Sequence, residues 1–200
     1  VLAISLSQRA EAQAPRTAQA PPATPSPKAL LHLQKEIKAA IAAVRASVVR
    51  ITASGTSLGR NGEAPIPYRS IGSGIIVDPA GYVLTNAHVV LYASQILVQA
   101  DRSTERVKAE VEAIAPGMDL AILKLKDESL FEGRPPLELA DGLPKIKDTV
   151  NAYGFPIGGE QLSVTEGIIS RVEHVGYSYG VSGLRIQVDA ALNPGNSGGP

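Results

Sequence analysis

The sequence predicts an all-β domain, a barrel or a sandwich, led by one short helix. Two observations carry this. From Ser47 onward the chain is a series of short runs rich in Val, Ile and Thr, each of strand length. Gly, Pro, Asp and Asn separate these runs, and no helical spacing of apolar residues falls between them. Alternating βαβ units are therefore disfavoured.

The elements follow in chain order. Residues 1–12 open with VLAISL and continue with small residues at alternating positions. They read as the remnant of a secretory signal, with Ala10-Glu11-Ala12 as the favoured cleavage site. The competing reading is an Ala-rich tail. Residues 13–27 hold five prolines among polar and Ala residues, a solvated linker biased to extended conformations. Over residues 28–46, Leu30, Leu33, Ile37, Ile41 and Val44 fall on one face of a helix. The strand-like runs then come as SVVRITA, GSGIIVD, GYVLTNA, QILVQA, RVKAEVEAI, LAILKLK, DTVNAYG, LSVTEGIIS and RIQVDAAL. Pro79-Ala80-Gly81 is a turn between two of them. Residues 128–136, with two prolines and several charges, suit a connection.

Composition excludes several functions. Lys plus Arg and Asp plus Glu are 19 each, which argues against a nucleic-acid or anionic-membrane specialist. There is no cysteine, so thiolate catalysis, disulfides and Cys-based zinc sites are absent. Three histidines, His32, His88 and His174, are too few for a dedicated multi-histidine metal site, and no cofactor is expected. No run reaches the roughly 20 apolar residues of a membrane helix.

Three stretches invite a joint reading: LTNAHVV at 84–90, MDLAILKL at 118–125 and NPGNSGGP at 193–200. Each sets one reactive side chain at the edge of an apolar run: His88, Asp119 and Ser197. A serine hydroxyl becomes a competent nucleophile when a base removes its proton. An imidazole does so near neutral pH, and a carboxylate on its far nitrogen fixes the tautomer. Glycines around the serine permit a turn that aims the N–H groups of Gly195 and Ser197 at a developing oxyanion. Taken singly, each stretch has an ordinary structural reading; the three together in a β-rich chain point to acyl transfer.

The stretches SIGSGIIVDPAGYVLTNAHVV, DLAILKL, AYGFPIGG, SVTEGIIS and DAALNPGNSGGP resemble the chymotrypsin-like serine proteases, specifically the HtrA/Deg group. The order His, Asp, Ser fits that class. The resemblance spans roughly residues 40–200. It implies a chymotrypsin-like double β-barrel with the site in the cleft between barrels, the first over 47–127 and the second over 137–200. It gives His88, Asp119 and Ser197 the base, orienting and nucleophile roles, and Gly195 and Ser197 the oxyanion roles. Trypsin-like enzymes that prefer basic residues carry an acid six positions before the serine. Here that position is Ala191, followed by Leu192, so the substrate pocket is expected to take a small or medium aliphatic group.

The second barrel is expected to be incomplete, because members of this fold carry further strands after the nucleophile loop, and both ends of the sequence read as cut. Residues 55–70 match a short form of a regulatory loop, and 174–183 the place of a sensor loop. The resulting expectation is an exported, ATP-independent endopeptidase, secreted or periplasmic, acting on unfolded or damaged proteins. The resemblance also implies a homotrimer. The alternatives are a catalytically silent peptide-binding or chaperone module on the same fold, and a processing protease of narrow specificity.

Overall fold

The computed structural model describes residues 26–57, 64–176 and 182–200. The signal reading of residues 1–12 lies outside the described residues, as do most of the linker, the centre of 55–70 and the tip of 174–183. Contacts divide the chain into two units, Val1–Glu36 and Ile37–Pro200. In the first, the described residues include the opening turns of helix α1 (Pro27–Ala46). His32 and Glu36, four residues apart and both exposed, pair there at 3.3 Å.

The second unit begins with the last turns of α1. Six strands then form a closed antiparallel barrel: β1 (Val48–Ser57), β2 (Ile66–Asp78), β3 (Tyr82–Thr85), β4 (Gln95–Ala100), β5 (Val107–Ala115) and β6 (Leu120–Leu125). Their order round the barrel is β1-β2-β3-β6-β5-β4, and pairing of β1 with β4 closes it. Period-2 alternation fills the interior. Val49, Ile51 and Ala53 of β1 meet Ile96, Val98 and Ala100 of β4, and Ala121, Leu123 and Leu125 of β6 complete the layer. Each fully buried Val, Leu or Ile contributes roughly 1.5–3 kcal/mol relative to exposure.

The opposite face of the same strands builds the seam to the rest of the unit. Val48 and Ile75 stand opposite each other in the β1–β2 ladder and pack with Tyr153, Phe155 and Leu162. Ile41 and Val44 of α1 rest on this cluster, as the helical spacing requires. After β6, the Asp127 side chain accepts from Ser129 N and starts a short turn that buries Leu130 and Phe131 under the barrel.

The chain crosses at Leu137, whose N–H donates to Ile76 O. It then forms a three-stranded antiparallel sheet from β7 (Thr149–Gly154), β8 (Ser163–Gly176) and β9 (Ser182–Val188). The architecture is therefore all-β, with a helix, a closed barrel and a second, open sheet, as the sequence predicts. Three boundaries differ. β8 runs on to Gly176, past the LSVTEGIIS run and into the 174–183 stretch read as a loop, so His174 to Gly176 are paired strand. The ladder of β1 and β2 runs on to Ser57↔Ile66, so much of the 55–70 stretch is paired strand. The RIQVDAAL run stops being strand at Val188, because the Asp189 side chain accepts from Ile168 N in place of a ladder bond.

Candidate active site

Strand register brings the candidate residues together. Thr85 of β3 stands opposite Ala121 of β6, so the chain leaving β3 passes directly beside Asp119. It turns there into a single helical turn, α2 (Ala87–Val90), which carries His88 outward while Val89 and Val90 are buried. Asp119 follows the Pro116–Met118 turn with φ 58° and ψ 42°, the left-handed region that Asp tolerates better than most residues.

Asp119 binds the α2 turn through four hydrogen bonds. Its carboxylate accepts from His88 N at 2.9 Å and faces His88 Nδ1 at 2.8 Å. Its carbonyl accepts from Ala87 N at 3.1 Å and from the Asn86 side chain at 2.8 Å. An ionised carboxylate can only accept, so Nδ1 carries the hydrogen and Nε2 of the neutral ring is left as an acceptor.

Ser197 arrives from the loop after β9. Its carbonyl accepts from Ser73 N of β2 at 2.7 Å, which sets the loop alongside the strand next to β3. Among the described residues, no hydrogen bond joins the His88 ring to the Ser197 hydroxyl; such bonds are often long without substrate. Gly195 has φ 103° and a buried backbone, and its carbonyl accepts from Ser73 Oγ at 2.8 Å. The N–H groups of Gly195 and Ser197 have no acceptor among the described residues, whereas Asn196 N and Gly199 N are both spent within the loop. Two neighbouring unpaired donors can receive an anionic oxygen.

An open cavity of about 710 Å³ adjoins Ser197 and is lined largely by apolar groups, among them Val150, Ile169, Ile186, Val188 and Leu192. Among the described residues, none that lines it is acidic. Leu192 borders it; Ala191 does not, and its carbonyl instead accepts from Thr165 Oγ1 at 3.0 Å. His174 lies on β8 opposite Leu184, exposed, and His32 on α1; neither lines the cavity. No group of metal-ligating side chains occurs among the described residues. The sequence reading missed Asn86 and Ser73, although both sit inside the stretches it singled out.

The family model for the trypsin-like peptidase domain matches residues 72–200. The chain belongs to the trypsin-like peptidases. Its relatives are of the HtrA/Deg type, a serine protease group. It is 47% identical over 133 residues to putative protease Do-like 13 of Arabidopsis thaliana, covering 66% of this chain and 27% of that protein. It is 43% identical over 133 residues to a probable periplasmic serine endoprotease DegP-like of Halomonas elongata, with the same two coverages, 66% and 27%. Other Arabidopsis relatives are named as mitochondrial or chloroplastic. Among solved structures it resembles the HtrA-type protease AlgW with tripeptide, at TM-score 0.66 and 33% identity, over 80% of this chain and 48% of that one. The chain thus spans about a quarter of the length of these curated relatives.

Proposed function

We propose that the chain carries the catalytic site of an ATP-independent serine endopeptidase that cleaves unfolded or damaged proteins. His88 Nε2 takes the Ser197 proton as Oγ attacks the scissile carbonyl, and the N–H groups of Gly195 and Ser197 receive the oxyanion. Asp119 stabilises the imidazolium, which then protonates the leaving amine. A water, deprotonated by His88, attacks the acyl-enzyme, and the proton returns to Ser197 with release of the acid.

The observation that carries this reading is the Asp119 carboxylate, which grips both the backbone and the ring of His88 at 2.9 and 2.8 Å and leaves Nε2 as a free acceptor. The cavity beside Ser197, apolar and without acid, supports binding of a peptide with a small or medium aliphatic residue before the scissile bond. The apolar start and A-x-A site of residues 1–12 support export to the periplasm or beyond. Assembly as a homotrimer is proposed on family likeness alone, and sedimentation of the full-length protein tests it.

The test of the chemistry is fluorophosphonate labelling of the full-length protein with casein digestion alongside. Labelling at Ser197, with both signals lost in Ser197→Ala and the fold intact, is the expected result. The second reading is a silent peptide-binding module on the same fold. That reading predicts peptide binding with no labelling, and such a result would overturn the first.

A further inference from the structure

We infer that Ser73 is a positioning residue that sets both oxyanion donors in register with the base, an inference that rests on the triad reading above. Ser73 is fully buried in the middle of β2. A serine in an otherwise apolar stretch, GSGIIV, needs partners for its hydroxyl. It has two: Oγ donates to Gly195 O at 2.8 Å and accepts from Phe155 N at 2.9 Å. Its N–H donates to Ser197 O at 2.7 Å, and its carbonyl accepts from Thr85 Oγ1 at 2.7 Å.

The pattern of these bonds is specific. Gly195 and Ser197 are the two residues given the oxyanion role above, and neither N–H has an acceptor among the described residues. They are also the two residues of this loop whose carbonyls Ser73 holds. Fixing the carbonyl of each limits rotation of the backbone that aims its N–H. The Thr85 bond ties the same residue to the end of β3, three residues before His88. Phe155 N adds the chain leaving β7, where Ile157 N also donates to Pro194 O of the nucleophile loop at 2.8 Å. One buried residue therefore joins these parts: its hydroxyl ties Gly195 to the chain leaving β7, and its backbone ties Ser197 to Thr85 at the end of β3. A non-hydrogen-bonding side chain of the same size would pack equally well but leave Gly195 O and Phe155 N unpaired.

The experiment compares Ser73→Ala with Val98→Ala, a fully buried barrel position on β4 remote from the loop. Both variants of the full-length protein are assayed well below their unfolding midpoints. Ser73→Ala is expected to lower kcat and kcat/KM together by roughly 10- to 100-fold with KM nearly unchanged, the pattern of a misplaced oxyanion hole. Ser73→Cys, which keeps a weak donor, is expected to recover part of that loss. Val98→Ala is expected to lose thermal stability and keep kcat. Wild-type kcat in Ser73→Ala overturns the positioning role. So does a parallel loss in both variants, since that marks destabilisation alone. If Ser73→Ala does not fold, Ser73→Cys carries the test: a lowered kcat at constant KM supports the role, and a wild-type kcat overturns it. An inert Ser197→Ala beside a fully active Ser73 variant rejects this inference only. A Ser197→Ala variant that still cleaves rejects the triad reading itself.

Discussion

Replacing Asp119 by Asn changes no volume, yet the geometry makes it a severe change. Both carboxylate oxygens serve one residue: Oδ1 accepts from His88 N at 2.9 Å and Oδ2 faces Nδ1 at 2.8 Å. The backbone N–H can only donate, so the amide oxygen of Asn is drawn to it. The amide NH2 then faces Nδ1 and can only donate as well. Nδ1 is forced to accept, the ring hydrogen moves to Nε2, and the base that Ser197 needs is gone. The flipped amide would restore the productive tautomer but set donor against donor at His88 N. An unmade hydrogen bond of that kind costs about 1–3 kcal/mol, so the productive state becomes a minor population. Loss of the carboxylate also removes stabilisation of the imidazolium. Together the two effects place the fall in kcat at roughly 10³–10⁴-fold. Steady-state hydrolysis of an aliphatic peptide substrate measures it, with circular dichroism checking the fold. A variant within tenfold of wild type would show that Asp119 does not orient the base.

The remaining predictions concern the loop, the pocket and alkaline stability. Gly198 has φ 84°, and a Cβ there would collide with Ser73 O and Thr85 Oγ1. Gly198→Ala is expected to cost roughly 2–3 kcal/mol, from left-handed strain and the Thr85–Ser73 bond, read as a lowered unfolding midpoint. The cavity beside Ser197 is lined by Leu192, Ile186 and Val188, and no described residue that lines it is acidic. A peptide library should therefore show Val or Ala favoured before the scissile bond, and dominance of Lys or Arg would refute the pocket assignment. Burial raises the Tyr153 phenol above its ordinary value of 10.0. The folded state thus holds this proton more tightly, so its contribution is intact below about pH 10 and is lost as pH rises through the folded value. Thermal unfolding from pH 9 to 11 should fall less steeply in Tyr153→Phe.

Much of the barrel was legible because its strands bury one face. The alternation in QILVQA and LAILKL is a direct print of the interior, where Ile96, Val98, Leu123 and Leu125 are buried. The helix was legible by spacing, and Ile41 and Val44 do face the seam cluster. Its first turns give no such test. Residues 55–70 were read as a regulatory loop by resemblance; pairing with β1, not local pattern, makes 66–70 strand. The candidate site residues were singled out in the sequence by type and motif position. Their ties were not. Ser73 reads as an ordinary small residue between glycines, since its four bonds reach residues 12 to 124 positions away along the chain. Nor does spacing reveal that Leu192 borders the cavity and Ala191 does not.

The nucleophile loop cannot be held in place by burial. From Asn193 to Pro200 its only apolar side chains are prolines, and Asn193, Pro194 and Pro200 are exposed. Its order has to come from polar ties: Ser73 on two carbonyls, Pro194 O on Ile157 N, and Tyr153 N on Pro200 O. These ties divide between the two halves of the unit, β2 on one side and the β7 region on the other. His88 and Asp119, by contrast, follow strands of the closed barrel and are brought together by the β3–β6 register. The two parts of the site therefore depend on different things. Loosening the open sheet should disturb the oxyanion donors while the His88–Asp119 pair stays formed, because no residue of β7, β8 or β9 contributes to that pair.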